Sequence, residues 1–233
     1  MRYLFLLFYS SSLFASAISI NVGETKAVFN RFAIPNTSED RVTLPVDDTL
    51  VSYRLTGFFY LESGNQFYFL IAPLATSYTF NSEKNFEFDD ENFSADTETE
   101  VEYKFNSYRL GYLWKWNLQS LSFWTGIVGK VRDAQIKVSQ ESISRKFNNI
   151  GFVPLAALGF EYNLFHNISL YSHTDALTAS QGSAYDSQVE LRLNMKNAAI
   201  SFGKRILGGG ADNDKVYNFA QFDTYYAGII YKF

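Results

Sequence analysis

The chain has 233 residues and a formal net charge of −4. It is 18% aromatic, with 23 Phe and 16 Tyr, and has no cysteine. The missing cysteines exclude disulfide staples and thiolate metal centres, and the absence of a basic cluster gives no sign of nucleic acid as a partner. Nearly half of the residues are hydrophobic, yet mean hydropathy is −0.12, the balance expected of strands that alternate apolar and polar side chains.

The first residues read as an export leader. Arg2 gives a positive start, Tyr3 to Tyr9 form an apolar run extended by Leu13 and Phe14, and Ala15-Ser16-Ala17 fits the small-x-small cleavage rule. The run is too short to cross ~30 Å of hydrocarbon as a helix. The expected organisation is a signal peptide over residues 1–17 and one barrel domain over 18–233. No later stretch approaches ~20 consecutive apolar residues.

The remainder reads with period two. In Leu50–Glu62, Val51, Tyr53, Leu55, Gly57, Phe59 and Leu61 share a face; in Gln188–Met195, Val189, Leu191, Leu193 and Met195 oppose Gln188, Glu190, Arg192 and Asn194. Ten strands are expected: Ser19–Ala33, Thr49–Glu62, Gln66–Phe80, Glu100–Trp116, Ser120–Val138, Ile150–Leu164, Ile168–Ala179, Tyr185–Met195, Ala198–Leu207 and Phe219–Phe233. Most reach the ~9–11 residues that a tilted membrane strand needs. Four connections are short: Ser63–Asn65, Asn117–Gln119, Phe165–Asn167 and Lys196-Asn197. Five read as longer polar loops: Ile34–Asp48, Asn81–Thr99, Ser139–Asn149, Ser180–Ala184 and Gly208–Asn218. The two kinds alternate, and both chain ends lie on the short-turn side. That predicts an all-β, closed antiparallel up-and-down transmembrane barrel of about ten strands, with eight or twelve as the alternatives. The mature termini would be periplasmic.

Aromatics gather by the short turns: Tyr60 and Phe67–Phe69 at the first, Trp114, Trp116 and Trp124 at the second, and Phe160, Tyr162 and Phe165 at the third. Such rings suit a membrane–water boundary. The last strand carries Tyr225, Ala227, Ile229, Tyr231 and the terminal Phe233 on one face. It resembles the C-terminal signature of Gram-negative outer-membrane β-barrel proteins. The resemblance implies recognition by the barrel-assembly machinery, an outer-membrane location, and outer-membrane lipid and lipopolysaccharide as surroundings. It covers little more than this strand, and it implies neither an activity nor a cofactor.

Some residues fit the alternation badly. Glu24 and Lys26 share a parity with Ile20, Val22 and Val28, so a β-bulge that swaps faces is expected in the first strand. Lys204 is expected near the outer headgroups. Pro73 and Pro154 each remove a ladder donor and suggest further bulges.

A barrel this narrow is filled by side chains. Parity assigns Arg54, Arg109, Lys130, Arg132, Glu161, Tyr171, His173, Asp175, Glu190, Arg192 and Arg205 to the interior. Buried charges persist when paired, so a lumen ion-pair network is expected. His173 and Asp175, two apart on a strand, share a face and are the sharpest catalytic candidates, since a carboxylate can orient an imidazole for base catalysis. Omptin proteases and lipid A-modifying barrels use such residues near the outer rim, whereas His173 falls near mid-depth and no run matches either motif. The residues around Asn81–Thr99 are acidic, with Glu83, Glu87, Asp89, Asp90, Glu91, Asp96 and Glu98. Their spacing is not a calcium-loop pattern, so no metal and no cofactor is expected.

The expected function is an envelope-structural, binding or narrow-channel role for a monomeric, non-enzymatic barrel. One alternative is an enzyme acting on lipid A or peptides through His173 and Asp175. A second is an adhesin or receptor using outer loops that carry Phe86, Phe88 and Phe93. A third is a soluble secreted β-sandwich.

Overall fold

The structure, a computed structural model, describes residues 16–46 and 48–233. The leader assigned to 1–17 lies outside the described residues, except that Ser16 and Ala17 begin the first strand. The elements in chain order are β1 (Ser16–Ala33), β2 (Val42–Thr43), β3 (Thr49–Tyr60), β4 (Gln66–Ala72), β5 (Ala75–Asn81), β6 (Phe86–Phe88), β7 (Glu91–Phe93), β8 (Glu98–Leu118), β9 (Leu121–Gln140), β10 (Ile143–Phe165), β11 (Ile168–Ala179), β12 (Gly182–Asn194), β13 (Ala198–Asp212) and β14 (Tyr217–Lys232). Antiparallel neighbours run in sequence order, and β14 returns to pair β1, closing a barrel of ten staves in which β4 and β5 share one. Closure leaves neither end strand of the sheet unpaired, as hydrocarbon requires. At the seam, Ser16 and Phe233 exchange two backbone hydrogen bonds of 2.7 and 2.9 Å.

The two prolines sit without bulges. Pro73 interrupts the ladder between β4 and β5, but Ala72 opposite Ser107 and Ala75 opposite Lys104 keep one register. Pro154 keeps register opposite Gly129 on β9 and lies where β10 has no partner on its other side, an edge position where a missing N–H costs little. The β1 bulge falls at Val28, beyond Glu24 and Lys26. Both therefore stay exposed on the outer face, level with Tyr225 and Asp223. Lys204, just past Phe202 on the outer face of β13, pairs with Asp223 at 2.8 Å.

The outward face carries the apolar belt. On β8 it runs from Tyr108 to Leu118 and on β10 from Ile150 to Leu164; Trp114, Trp116, Tyr162 and Tyr231 are exposed towards the short turns. Trp124 departs from the expected girdle: its neighbour Phe123 points out, and Trp124 is buried in the lumen. Above the belt the alternation changes, because both faces leave hydrocarbon. Asn106, Asp133 and Asn148 succeed the apolar residues on β8, β9 and β10.

That change hid strand from the sequence. The expected loop Ser139–Asn149 is ladder, with β9 and β10 joined only by Glu141-Ser142. Ser180–Ala184 reduces to the turn Ser180-Gln181, and Gly208–Asp212 continues β13 opposite Tyr217–Gln221. The long connections are those after β1 and β5. The first pairs back onto β1 through β2. The second carries the β6–β7 hairpin, whose Phe86, Phe88 and Phe93 are buried with Phe32, Leu44, Tyr103, Ile136 and Phe222 in an apolar core at the end of the barrel opposite the termini. Phe86 and Phe93 stack at 5.3 Å, and Phe88 meets Phe32 edge-on at 5.4 Å. The exposed loop aromatics that would suit an adhesin are therefore internal.

Candidate functional site

Below the apolar core the lumen is polar. At its centre Arg109 reaches Asp175 and Asp186 at 2.6 Å each. Asp186 also receives the Arg205 guanidinium in two hydrogen bonds of 2.7 and 2.8 Å. The Arg109 and Asp175 side chains have no solvent exposure. In low dielectric such pairs are strong, and their two-dimensional connection through Asp186 satisfies both carboxylate oxygens. Arg54 donates to Gln188. Nearer the short turns, Arg192 donates to Glu190 at 2.6 Å and to Glu161 at 3.2 Å. Its guanidinium lies 3.5 Å over the Tyr171 ring, and Tyr226 donates to Glu190 at 2.9 Å.

His173 and Asp175 adjoin this layer. The imidazole Nε2 donates to Asp175 Oδ1 at 2.9 Å, while Nδ1 accepts from the Trp124 indole at 2.9 Å. An indole nitrogen can only donate, so the imidazole carries its hydrogen on Nε2 and both ring nitrogens are occupied. Tyr68 donates to Asp175 at 3.3 Å. His173 is 1% exposed. The pair is set as a packing and hydrogen-bonding unit: no lone pair of the imidazole remains for a substrate proton.

Two glycines make the arrangement fit. Gly159 is opposite both Trp124 and His173 in the ladders, and a Cβ there would stand 2.6 Å from the indole. Gly203 leaves room for Tyr226 beside Glu190; its Cβ would meet both at 2.7 Å.

The inward set assigned by parity is thus distributed over three levels. Glu161, Tyr171, Glu190 and Arg192 lie towards the short turns; Arg54, Arg109, His173, Asp175 and Arg205 form the middle; Lys130 and Arg132 lie above. Among the described residues neither of the last two meets a carboxylate within ion-pair distance. Lys130 Nζ sits 4.7 Å over the Phe105 ring, and Arg132 donates to Asn149 at 2.5 Å. Sequence reasoning missed Asp186, the hub of the middle layer, although it shares the parity of Gln188 and Glu190. It also missed Tyr68, Trp124 and Tyr226.

The lumen is divided. On the short-turn side a cavity of about 240 Å³ is lined by Tyr60, Lys115, Glu161, Arg192 and Lys232. A separate cavity of about 290 Å³ opens higher in the wall and includes Lys130 and Arg132. The acidic residues of 83–98 do not converge: among the described residues no three metal-ligating side chains form a group, and Glu91 is engaged by Arg145 at 2.6 Å. Tyr225, Ala227, Ile229, Tyr231 and Phe233 all face outward and are exposed.

Closed topology, outward belt and filled lumen can be set against known structures. The outer membrane protease OmpT from Escherichia coli superposes with a TM-score of 0.58 at 8% identity, covering 94% of this chain and 97% of that one. The fold is that of an outer-membrane β-barrel. The translocator domain of the autotransporter NalP from Neisseria meningitidis gives a TM-score of 0.45 at 11% identity, over 96% of this chain and 90% of that one. Ail, the attachment invasion locus protein of Yersinia pestis, gives 0.41 at 11% identity, over 94% and 99%. No family model matches the chain, and no curated protein matches its sequence.

Proposed function

We propose that this chain is an outer-membrane barrel that conducts nothing through its lumen and acts at its wall and outer surface. The observation that carries the reading is the buried layer Arg109–Asp175–Asp186–Arg205, which links β8, β11, β12 and β13 across the lumen at mid-depth without solvent contact on Arg109 or Asp175. The apolar core around the β6–β7 hairpin adds a second closure above it. The belt would face outer-membrane lipid and lipopolysaccharide, with the chain ends periplasmic. The outward Tyr225–Phe233 series would be the signal read by the barrel-assembly machinery. The barrel is read as a monomer without cofactor.

OmpT is a protease by name, and a surface hydrolase is the rival reading. The chain has two histidines. His166 lies in the β10–β11 turn at the end near the termini, and His173 is enclosed. Neither is at the outer end, which argues against histidine-dependent proteolysis there.

The test is conductance of the purified full chain in planar bilayers. No current steps above the bare bilayer are expected. Reproducible unit conductance from the wild-type protein overturns the reading.

A further inference from the structure

The barrel wall is incomplete between β10 and β11. Their ladder rises from Phe165 opposite Ile168 to Ala156 opposite Ala176 and stops. Above that pair, the backbone of Ile143–Leu155 in β10 pairs only with β9, while β11 continues with β12 alone. A similar gap between β3 and β5, above Leu55 and Ile71, is covered by the chain itself, with Val42, Leu44, Leu74 and Tyr78 packed in the apolar core. Among the described residues the β10–β11 gap has no such cover. It leads into the cavity of about 290 Å³, and Leu177, of inward parity, is 36% exposed there.

The depth of this gap is set by its neighbours. Ile150 and Phe152 on the outer face of β10 are 76% and 71% exposed, and the polar residues Asp133 and Asn148 follow directly above. The opening therefore spans the upper margin of the apolar belt, where hydrocarbon gives way to headgroups. A strand edge left unpaired at that level needs a polar partner. Behind the edge stand Lys130 and Arg132, neither of which meets a carboxylate among the described residues. Lys130 is opposite Val153 and Arg132 opposite Gly151 in the β9–β10 ladder. Lys130 is 2% exposed, and the Arg132 Nε is buried without an acceptor among the described residues. Buried unpaired cations are costly, so the site is built for an anion.

We propose that the β10–β11 cleft binds the phosphate of an anionic outer-leaflet lipid, which enters sideways from the bilayer. Lys130 and Arg132 hold the phosphate, and the acyl chains stay outside against Phe152 and Leu177. The cavity lies near the ~300 Å³ lower limit for small-molecule sites; it takes a headgroup and leaves the tails in hydrocarbon. The inference deepens the reading of a barrel that works at its wall, and it rests on that reading for its orientation in the membrane.

The experiment places the full chain in phosphatidylcholine nanodiscs doped with phosphatidic acid and measures retained lipid by native mass spectrometry. Wild type is expected to retain phosphatidic acid in preference to phosphatidylcholine. The pair Lys130→Gln and Arg132→Gln should lose that preference by about tenfold or more, as for loss of a charge-assisted contact. Leu177→Trp, which obstructs the mouth and leaves both cations, should lose it too, and Lys130→Arg should keep it. Heat-modifiable gel mobility reports folding of each variant. Equal retention by wild type and the Gln pair overturns the proposal. So does binding of inorganic phosphate as tight as that of the lipid, or equal retention of phosphatidylcholine. A conductance recording on the same preparation keeps the readings apart: current from wild type removes the closed-lumen reading and leaves the lipid result standing.

Discussion

Trp124 donates its indole hydrogen to Nδ1 of His173 at 2.9 Å, and the far side of the same imidazole donates to Asp175. The indole thus occupies the position that a catalytic imidazole would need free. Trp124→Phe keeps an aromatic side chain, loses the pyrrole half of the indole with its donor, and leaves a buried acceptor unsatisfied. A loss of ~1–3 kcal/mol is expected, read by urea unfolding of the barrel in lipid vesicles. His173→Ala should leave any hydrolysis of envelope substrates unchanged; a defined activity lost with His173 contradicts the structural role given to it.

Asp186 joins Arg109 to Arg205, and its removal leaves the buried Arg205 without a carboxylate and Arg109 with Asp175 alone. Asp186→Ala is expected to cost ~3–5 kcal/mol, the range for one partner taken from a buried pair. The half-exposed pair Lys137 and Glu102, at 2.5 Å, is the control: Glu102→Gln should cost only ~0–1 kcal/mol because water screens it. Equal losses from the two substitutions would show that the mid-lumen network does not govern stability.

Gly159 admits the Trp124 indole beneath the β10 backbone. A Cβ there would also meet the Ser172 carbonyl at 2.5 Å, so backbone as well as side chain has to yield. Gly159→Ala is expected to destabilise by ~1–3 kcal/mol and to move tryptophan emission as the indole leaves its polar partners. Emission and stability like those of wild type would mean that the ladders tolerate the shift.

Much of this layer was legible in the sequence, because one face of each membrane strand must be apolar, which makes the opposite face readable. Arg109, His173, Asp175 and Arg205 follow from parity alone. Asp186 has the same parity but lies just inside β12, next to residues whose polarity reads as loop. The segments 139–149 and 208–212 escaped notice for a related reason: strand outside hydrocarbon is not required to alternate, so Arg145, Lys146 and the glycine run carry no period. Phe86, Phe88 and Phe93 look like surface aromatics until Phe32 and Phe222, distant in sequence, are brought beside them. The open β10–β11 edge leaves one trace in the sequence, Pro154, which by itself suggests a bulge as readily as an edge.

On the closed-lumen reading, the β6–β7 hairpin and the charged layer are two separate barriers, so opening one leaves the other. Phe88→Ala, which vacates a fully buried site between Phe32 and its neighbours, is expected to cost ~3–5 kcal/mol and to expose the hairpin to external protease. Planar-bilayer recordings of that variant should remain silent. Steady current from it would place the barrier in the hairpin alone.

The β9–β10 ladder continues well past the belt and ends in the two-residue turn Glu141-Ser142, with both residues exposed. Exposed tips held by rigid ladders accept inserted sequence with little effect on the fold beneath. This tip lies at the end of the molecule opposite the termini, so with the termini periplasmic, as proposed, a peptide epitope grafted between those two residues would be carried on a stiff mast clear of the bilayer, giving a handle for antibody labelling of intact cells that leaves lumen, belt and terminal strand untouched.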